Sequence, residues 1–181
     1  MRVITGSARG RRLKEPVGMD IRPTTDQVKE AIFNIVQFDV EGRRVLDLFA
    51  GTGQLGIEAL SRGAAECVFV DESRTSLQLV KDNLLHCGLT GQVVQADALR
   101  YLEHGGTFDL VFLDPPYDTD LCDKALQKIF EFDILSHGGI IICETRREKT
   151  LPESSAPYIR RKEYNYGKVK LTVYDKKETE A

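Results

Sequence analysis

Apolar and polar positions along this chain follow two periods that alternate in a regular order. Short continuous apolar runs at residues 45–49, 67–70, 92–95, 110–113 and 139–144 read as strands. Between them, 54–61, 73–86, 98–103 and 120–132 carry apolar residues at helical spacing, several ended by glycine as at Arg62-Gly63 and Cys87-Gly88. Continuous apolar strands alternating with helices predict a parallel sheet covered on both faces. The pattern then changes. Residues 158–164 and 169–174 are two further strands joined through Asn165-Tyr166-Gly167-Lys168, a hairpin rather than a crossover, so the sheet closes on an antiparallel pair.

Ahead of the alternating block, Val28, Ala31, Ile32, Ile35 and Val36 give one apolar face to a helix over about 25–38. Arg22-Pro23-Thr24-Thr25-Asp26 supplies its start: a proline, capping threonines and an acid in the first turn. Residues 2–5 and 11–14 read as two short strands around Gly6-Ser7-Ala8-Arg9-Gly10. The expected division is an N-terminal hairpin arm over 1–24, an α/β domain over 25–175 and a flexible tail over 176–181.

Composition narrows the class. With 181 residues, 41% of them hydrophobic and 29% charged, the chain is the size of one soluble domain. Its apolar runs reach about four residues where a membrane span needs roughly 20, and the first residues hold no apolar signal segment. Membrane and secreted classes are excluded, and a cytoplasmic location is expected. Cys67, Cys87, Cys122 and Cys143 never form a C-x-x-C pair, so zinc and redox motifs are absent and the thiols are expected to serve as small buried hydrophobes. His86, His104 and His137 are scattered, with no nucleophile beside them. No metal site is expected.

The net charge is only −3, but it is unevenly spread. Residues 1–22 hold six bases (Arg2, Arg9, Arg11, Arg12, Lys14, Arg22) against two acids, and 146–177 hold ten bases against four. Residues 23–145 hold nine bases against twenty acids. Two basic ends that met in space would make a phosphate-binding patch; the alternative is two solvated surfaces with no partner.

In an open α/β sheet, ligands bind at the carboxyl ends of the strands, near the switch in strand order. The first such loop is Asp47-Leu48-Phe49-Ala50-Gly51-Thr52-Gly53-Gln54-Leu55-Gly56, in which Gly51, Gly53 and Gly56 satisfy G-x-G-x-x-G. Asp71 closes the next strand, where an acid can bind both hydroxyls of a ribose. A dinucleotide dehydrogenase would carry the same pattern. Asp47, however, sends a carboxylate towards the loop, where an ammonium would be welcome. S-adenosylmethionine carries that ammonium and lacks the pyrophosphate that the dinucleotide motif grips. Asp97 ends the third strand and can accept from an adenine amino group. Asp71 and Asp97 also have a plainer reading, as caps of the helices that follow.

Asp114-Pro115-Pro116-Tyr117 ends the fourth strand. An exocyclic base nitrogen is a poor nucleophile because its lone pair is delocalised into the ring. Acceptors aimed at its two N–H bonds favour the pyramidal form, a stabilisation that grows towards the transition state. The Asp114 carboxylate and the Pro115 carbonyl are two such acceptors, the prolines keep the loop stiff, and Tyr117 offers a face for stacking. An acceptor-only aspartate suits the N1–H and N2–H edge of guanine; adenine N1 would need a donor, which a backbone N–H could supply.

These motifs together resemble a known family. Asp-Leu-Phe-Ala-Gly-Thr-Gly followed by Asp-Pro-Pro-Tyr is similar to the S-adenosylmethionine-dependent methyltransferases of exocyclic amino groups. Arg2-Val3-Ile4-Thr5-Gly6, Gly10-Arg11-Arg12-Leu13, Arg22-Pro23-Thr24, Ala31-Ile32-Phe33-Asn34-Ile35 and Tyr166-Gly167 resemble one subfamily, RsmD, the bacterial 16S rRNA guanine-N2 methyltransferases. The resemblance covers residues 1 to about 174. It implies a Rossmann-like class I methyltransferase sheet of seven mostly parallel strands. It further implies a methyl-donor site at Asp47, Phe49, Gly51, Thr52, Gly53, Asp71, Asp97 and Ala98, and catalysis at Asp114, Pro115, Pro116 and Tyr117. Arg22 and Thr24 would lie near the target base, with Arg2, Arg9, Arg11, Arg12 and Lys14 on the RNA. Gln54 stands where the family more often has a small residue, and Asp71 where it often has Glu.

The expected activity is methyl transfer from S-adenosylmethionine to guanine N2 in 16S rRNA, within a small-subunit assembly particle, by a cytoplasmic monomer without metal. The rival readings are a DNA adenine-N6 methyltransferase, for whose target-reading region 181 residues leave little room, and a non-catalytic rRNA-binding assembly factor.

Overall fold

Thr25 opens the first helix. Its backbone is extended and its hydroxyl accepts the Val28 amide, so helix α1 runs Asp26–Ile35. It stops short of the expected end because Val36 leaves helical geometry, and Phe38 beyond it is 89% exposed. A computed structural model describes residues 1–18 and 24–178. The remaining elements follow as β1 (Arg44–Asp47), α2 (Gln54–Ser61), β2 (Glu66–Asp71), α3 (Arg74–Cys87), β3 (Gln92–Gln95) and α4 (Ala98–Leu102). Then come β4 (Phe108–Leu113), α5 (Leu121–Phe132), β5 (Leu135–Arg146), β6 (Tyr158–Tyr166) and β7 (Val169–Lys176).

The alternation is as expected, and two boundaries differ for physical reasons. Strand β5 begins four residues before 139 because Gly138, at φ 71°, lets it bulge past β4, with the register shifting between Phe108 and Leu110. Strand β7 runs on to Lys176, whose ammonium donates to Asp133 Oδ1 at 2.7 Å and to the Leu135 carbonyl at 3.0 Å. Lys176 is therefore a buried structural residue and not the first residue of a tail.

The seven strands pair in the order β3-β2-β1-β4-β5-β7-β6. Strands β1 to β5 are parallel, β7 is antiparallel to β5, and β6 forms the edge. Period-two alternation sorts the strand residues onto two faces. Val45, Phe69, Phe112, Ile142 and Leu171 pack with α1, α2 and α3, while Leu46, Val70, Val111, Ile141 and Tyr174 pack with α4 and α5. All four cysteines are buried free thiols; for Cys67 and Cys143 the apolar runs around them predicted it.

The N-terminal hairpin departs from expectation. Its two sides meet at one antiparallel bridge, Arg2 with Arg12, and through backbone bonds from the Val3, Gly10 and Leu13 amides to the Arg11, Val3 and Met1 carbonyls. The body of the protein holds it as well. The Ile4 and Thr5 amides donate to the Glu58 carboxylate at 2.8 and 3.0 Å, and the Ala8 amide donates to Ser61 Oγ at 2.9 Å. Lys29, fully buried, donates to the Arg2 carbonyl and pairs with Glu58 at 3.6 Å. Gly6 (φ 90°) comes so near the end of α2 that a Cβ there would lie 1.8 Å from the Ser61 carbonyl oxygen. Val3, Ala8 and Leu13 join the core on that face.

Candidate active site

The chain runs outward from β1 through β2 to β3, then crosses back to β4 on the other side of β1. That reversal leaves the carboxyl ends of β1 and β4 adjacent, with Asp47 paired to Phe112, at the point where such sheets bind ligands. The glycine loop follows Asp47, and Asp114-Pro115-Pro116-Tyr117 follows β4. A cavity of about 490 Å³ separates them, a size usual for a small-molecule site.

On the glycine side, Gly51 and Gly53 take left-handed φ of 54° and 80°, which folds the chain back into α2. Gly53 caps that helix without a side chain. Asp47 supplies the missing acceptor from the neighbouring strand, taking the Gly56 amide on Oδ2 at 3.0 Å. Its carboxyl is 2% exposed. Burial lifts it from 3.8 to about 7; the Gly56 amide opposes the rise and the Asp71 charge adds to it. Phe49, Gly51, Thr52 and Gln54 line the cavity beside Asp47, and Gln54 Oε1 is buried with no hydrogen-bond partner among the described residues.

On the proline side, Thr24 Oγ1 stands 3.0 Å from Asp114 Oδ2 and 3.2 Å from Glu144 Oε2, its single proton shared between the two carboxylates. Tyr117 donates its hydroxyl to Glu144 Oε1 at 2.9 Å, and the Arg146 guanidinium lies 5.6 Å from the Tyr117 ring centre. Thr24 and Glu144 are 4% and 3% exposed, so the inner half of this network is buried, while Asp114 and Tyr117 are half-buried at the cavity. Thr24, Asp114, Pro115, Tyr117, Glu144 and Arg146 all face the cavity.

The structure brings together Asp47, Phe49, Gly51, Thr52, Thr24, Asp114, Pro115 and Tyr117 around one cavity. Gly53, Asp71, Asp97, Ala98 and Pro116 lie outside its wall. Asp71 ties the glycine loop to β2, accepting the Gly51 amide at 2.9 Å and the Ser73 amide at 2.8 Å. Asp97 caps α4, its Oδ1 accepting the Arg100 amide at 2.9 Å. In the basic arm, Arg2 lies 3.5 Å from Asp26 and Lys14 lies 3.1 Å from Asp82. Arg9, Arg11 and Arg12 are exposed and form no ion pair among the described residues. Arg22 lies outside the described residues.

Residues 1–175 match the family model described as Conserved hypothetical protein 95. "Ribosomal RNA small subunit methyltransferase D" of Escherichia coli is 34% identical to the chain, covering 97% of it and 90% of the relative. The chain belongs to the RsmD family. "Putative rRNA methyltransferase YlbH" of Bacillus subtilis, at 44% identity, covers 98% of this RsmD-family chain and 100% of the relative. Among solved structures, "Putative methyltransferase yhhF from Escherichia coli" superposes with a TM-score of 0.88 at 32% identity, covering 98% of each chain.

Glu144 and Arg146 are absent from the residues that the RsmD resemblance carried over, although both line the cavity. Glu144 gave the same signal as Asp47, Asp71 and Asp114, an acid ending an otherwise apolar strand. The run Ile140-Ile141-Ile142-Cys143-Glu144 was legible as a strand, but its final residue carried no motif.

Proposed function

We propose that this protein transfers a methyl group from S-adenosylmethionine to the exocyclic N2 of a guanine in 16S rRNA. We propose further that it does so in the cytoplasm as a monomer, on a small-subunit assembly particle. One observation carries the reading: the switch in strand order sets an acidic glycine loop and a pair of amine acceptors on opposite walls of one cavity. The loop residues fit the methyl donor. Asp47 lines the cavity with a carboxyl whose Oδ2 alone is engaged among the described residues, and Gln54 presents a buried, unpartnered acceptor. S-adenosylmethionine, when bound, supplies the methyl group on a sulfonium, an electrophile that an amine nitrogen takes without a covalent enzyme intermediate.

The chain's own residues then act on the amine. Asp114 and the Pro115 carbonyl accept its two N–H bonds and localise the nitrogen lone pair. Thr24 holds Asp114 at the angle this needs, and Glu144, buried beneath both, sets the positions of Thr24 and Tyr117. Holding the Tyr117 hydroxyl anchors the ring at the cavity, which is what a stacking platform requires. The proton released on transfer passes to Asp114 or to water. Guanine N2 is preferred because an aspartate accepts from both N1–H and N2–H, and the base must stand clear of its helix for nitrogen to be reached. The exposed arm arginines Arg9, Arg11 and Arg12 are proposed to hold flanking phosphates.

The test is incubation with labelled methyl donor and 16S rRNA, DNA or partly assembled small subunits, followed by nucleoside analysis. N2-methylguanosine is expected; N6-methyladenosine, or no labelled nucleoside, refutes the proposal. Asp114→Ala should lower kcat by about 100-fold or more while calorimetry shows donor affinity within about twofold of the parent. Undiminished turnover in that variant rules out the role given to Asp114.

A further inference from the structure

A second groove, of about 430 Å³, lies between α1 and the edge strand β6. It is lined by Gln27, Glu30 and Asn34 along one stripe of the helix and by Tyr164 and Tyr166 on the strand. Both tyrosine rings are half-buried. Each packs against the core, and its remaining surface faces the groove. The Lys162 ammonium lies 4.9 Å from the centre of the Tyr164 ring.

The sheet register relates this groove to the active site. Tyr166 pairs with Val169, which pairs with Arg146; Tyr164 pairs with Leu171, which pairs with Glu144. Directly opposed residues of antiparallel strands project to the same face. The two tyrosines therefore share a face with Glu144 and Arg146, two strand spacings or about 10 Å away. The helix makes the same connection. Thr24, bonded to Asp114, immediately precedes the Thr25 cap of α1, so Gln27 enters the groove within one turn of the catalytic network. The groove thus opens beside the active cavity and runs away from it.

We propose that this groove holds a single-stranded rRNA nucleotide adjacent to the methylated guanine, its base stacked on Tyr166 and Tyr164. Aromatic faces combined with side-chain amides are how proteins take up unpaired bases. The Gln27 and Asn34 amides and the Glu30 carboxylate suit the donors and acceptors of a base edge. Glu30 would repel a phosphate, which places the backbone on the strand side, where Lys162 lies beside Tyr164. Bases vary at their edges but share a π-face, so stacking here would add affinity and register to whichever strand presents the guanine. The inference rests on the rRNA methyltransferase reading.

The experiment compares steady-state methylation of partly assembled small subunits by the parent, Tyr166→Leu, Tyr166→Phe and a Gln27→Ala, Asn34→Ala double variant. Leucine keeps the ring's apolar contact with the core and removes its π-face. Tyr166→Leu should raise KM for the particle about tenfold, in keeping with the loss of one base stack. It should leave kcat within about twofold and leave donor affinity by calorimetry unchanged; Tyr166→Phe should restore KM. The double variant, altered only at exposed side chains, should raise KM several-fold without a change in melting temperature. Three results overturn the inference: KM for Tyr166→Leu and the double variant within about twofold of the parent, a loss confined to kcat, or a Tyr166→Phe as defective as Tyr166→Leu. A change of sedimentation with KM unaltered would make the groove a contact between copies of the chain, and the inference wrong. A parent enzyme that labels no rRNA overturns this proposal and the proposed function together; an active parent with indifferent variants overturns this one alone.

Discussion

Asp47 places a demand on the fold that can be measured. Its carboxyl is buried in the cavity wall, and burial raises it from 3.8 to about 7. In the unfolded chain it titrates near 4, so between about pH 4 and 7 the folded state holds a proton that the unfolded state has lost. Stability from this group is fully present below pH 4 and disappears as the pH rises to 7. A shift of about three pH units corresponds to roughly 4 kcal/mol, a large part of the stability of a domain this size. Asp47→Asn removes the charge and keeps an oxygen for the Gly56 amide. We therefore expect the ligand-free variant to be more stable than the parent at pH 8, by up to about 4 kcal/mol or on the order of 10 °C in Tm. At pH 4 the two should match. Chemical denaturation at both pH values measures the difference, and calorimetry in parallel should show the variant's affinity for S-adenosylmethionine reduced about tenfold or more, because the ammonium has lost its counter-charge. Below pH 7 the parent should lose donor affinity as Asp47 protonates. If the stability curves of parent and variant run parallel from pH 4 to 8, Asp47 is ionised at no cost in the folded protein, and the reasoning fails.

Two further substitutions probe the supports of the site. Thr24→Val keeps shape but removes the hydroxyl shared by Asp114 and Glu144; kcat should fall about tenfold or more with donor affinity unchanged, and a kcat equal to the parent's would deny Thr24 a positioning role. Gly6→Ala forces a Cβ to within 1.8 Å of the Ser61 carbonyl oxygen at a left-handed φ. It should cost about 3 kcal/mol or more in denaturant unfolding, whereas an arm attached loosely to the body would register almost no change.

Much of this protein is legible in its sequence. Strands β1 to β5 and their helices showed as apolar runs and helical stripes because each element must present an apolar surface to the core, and that need is written locally. The hairpin of β6 and β7 was legible for the same reason, as were Asp47, the glycines and Asp114-Pro115-Pro116-Tyr117, where a ligand loop interrupts the pattern. Local signals also left ambiguities. Asp97 ends a strand and precedes a helix, so a ligand acceptor and a cap look alike in sequence; the fold shows its Oδ1 taking the Arg100 amide as a cap does. Gly139 read as the start of β5, whereas a bulge carries the strand through it from Leu135.

What the tertiary structure alone decided is which distant residues meet. Thr24 and Glu144 touch across 120 positions and Thr24 and Asp114 across 90. The basic N-terminal arm, expected as a hairpin, is anchored by the Glu58 carboxylate, one residue of a helix whose sequence gives no hint of that task. The insertion of β7 between β5 and β6, which sets Tyr166 level with Arg146, likewise leaves no mark in either strand's own pattern. Periodicity records which side of an element is buried, a property each residue holds alone. Contact between elements depends on strand order and register, which the whole chain sets when its apolar faces close together.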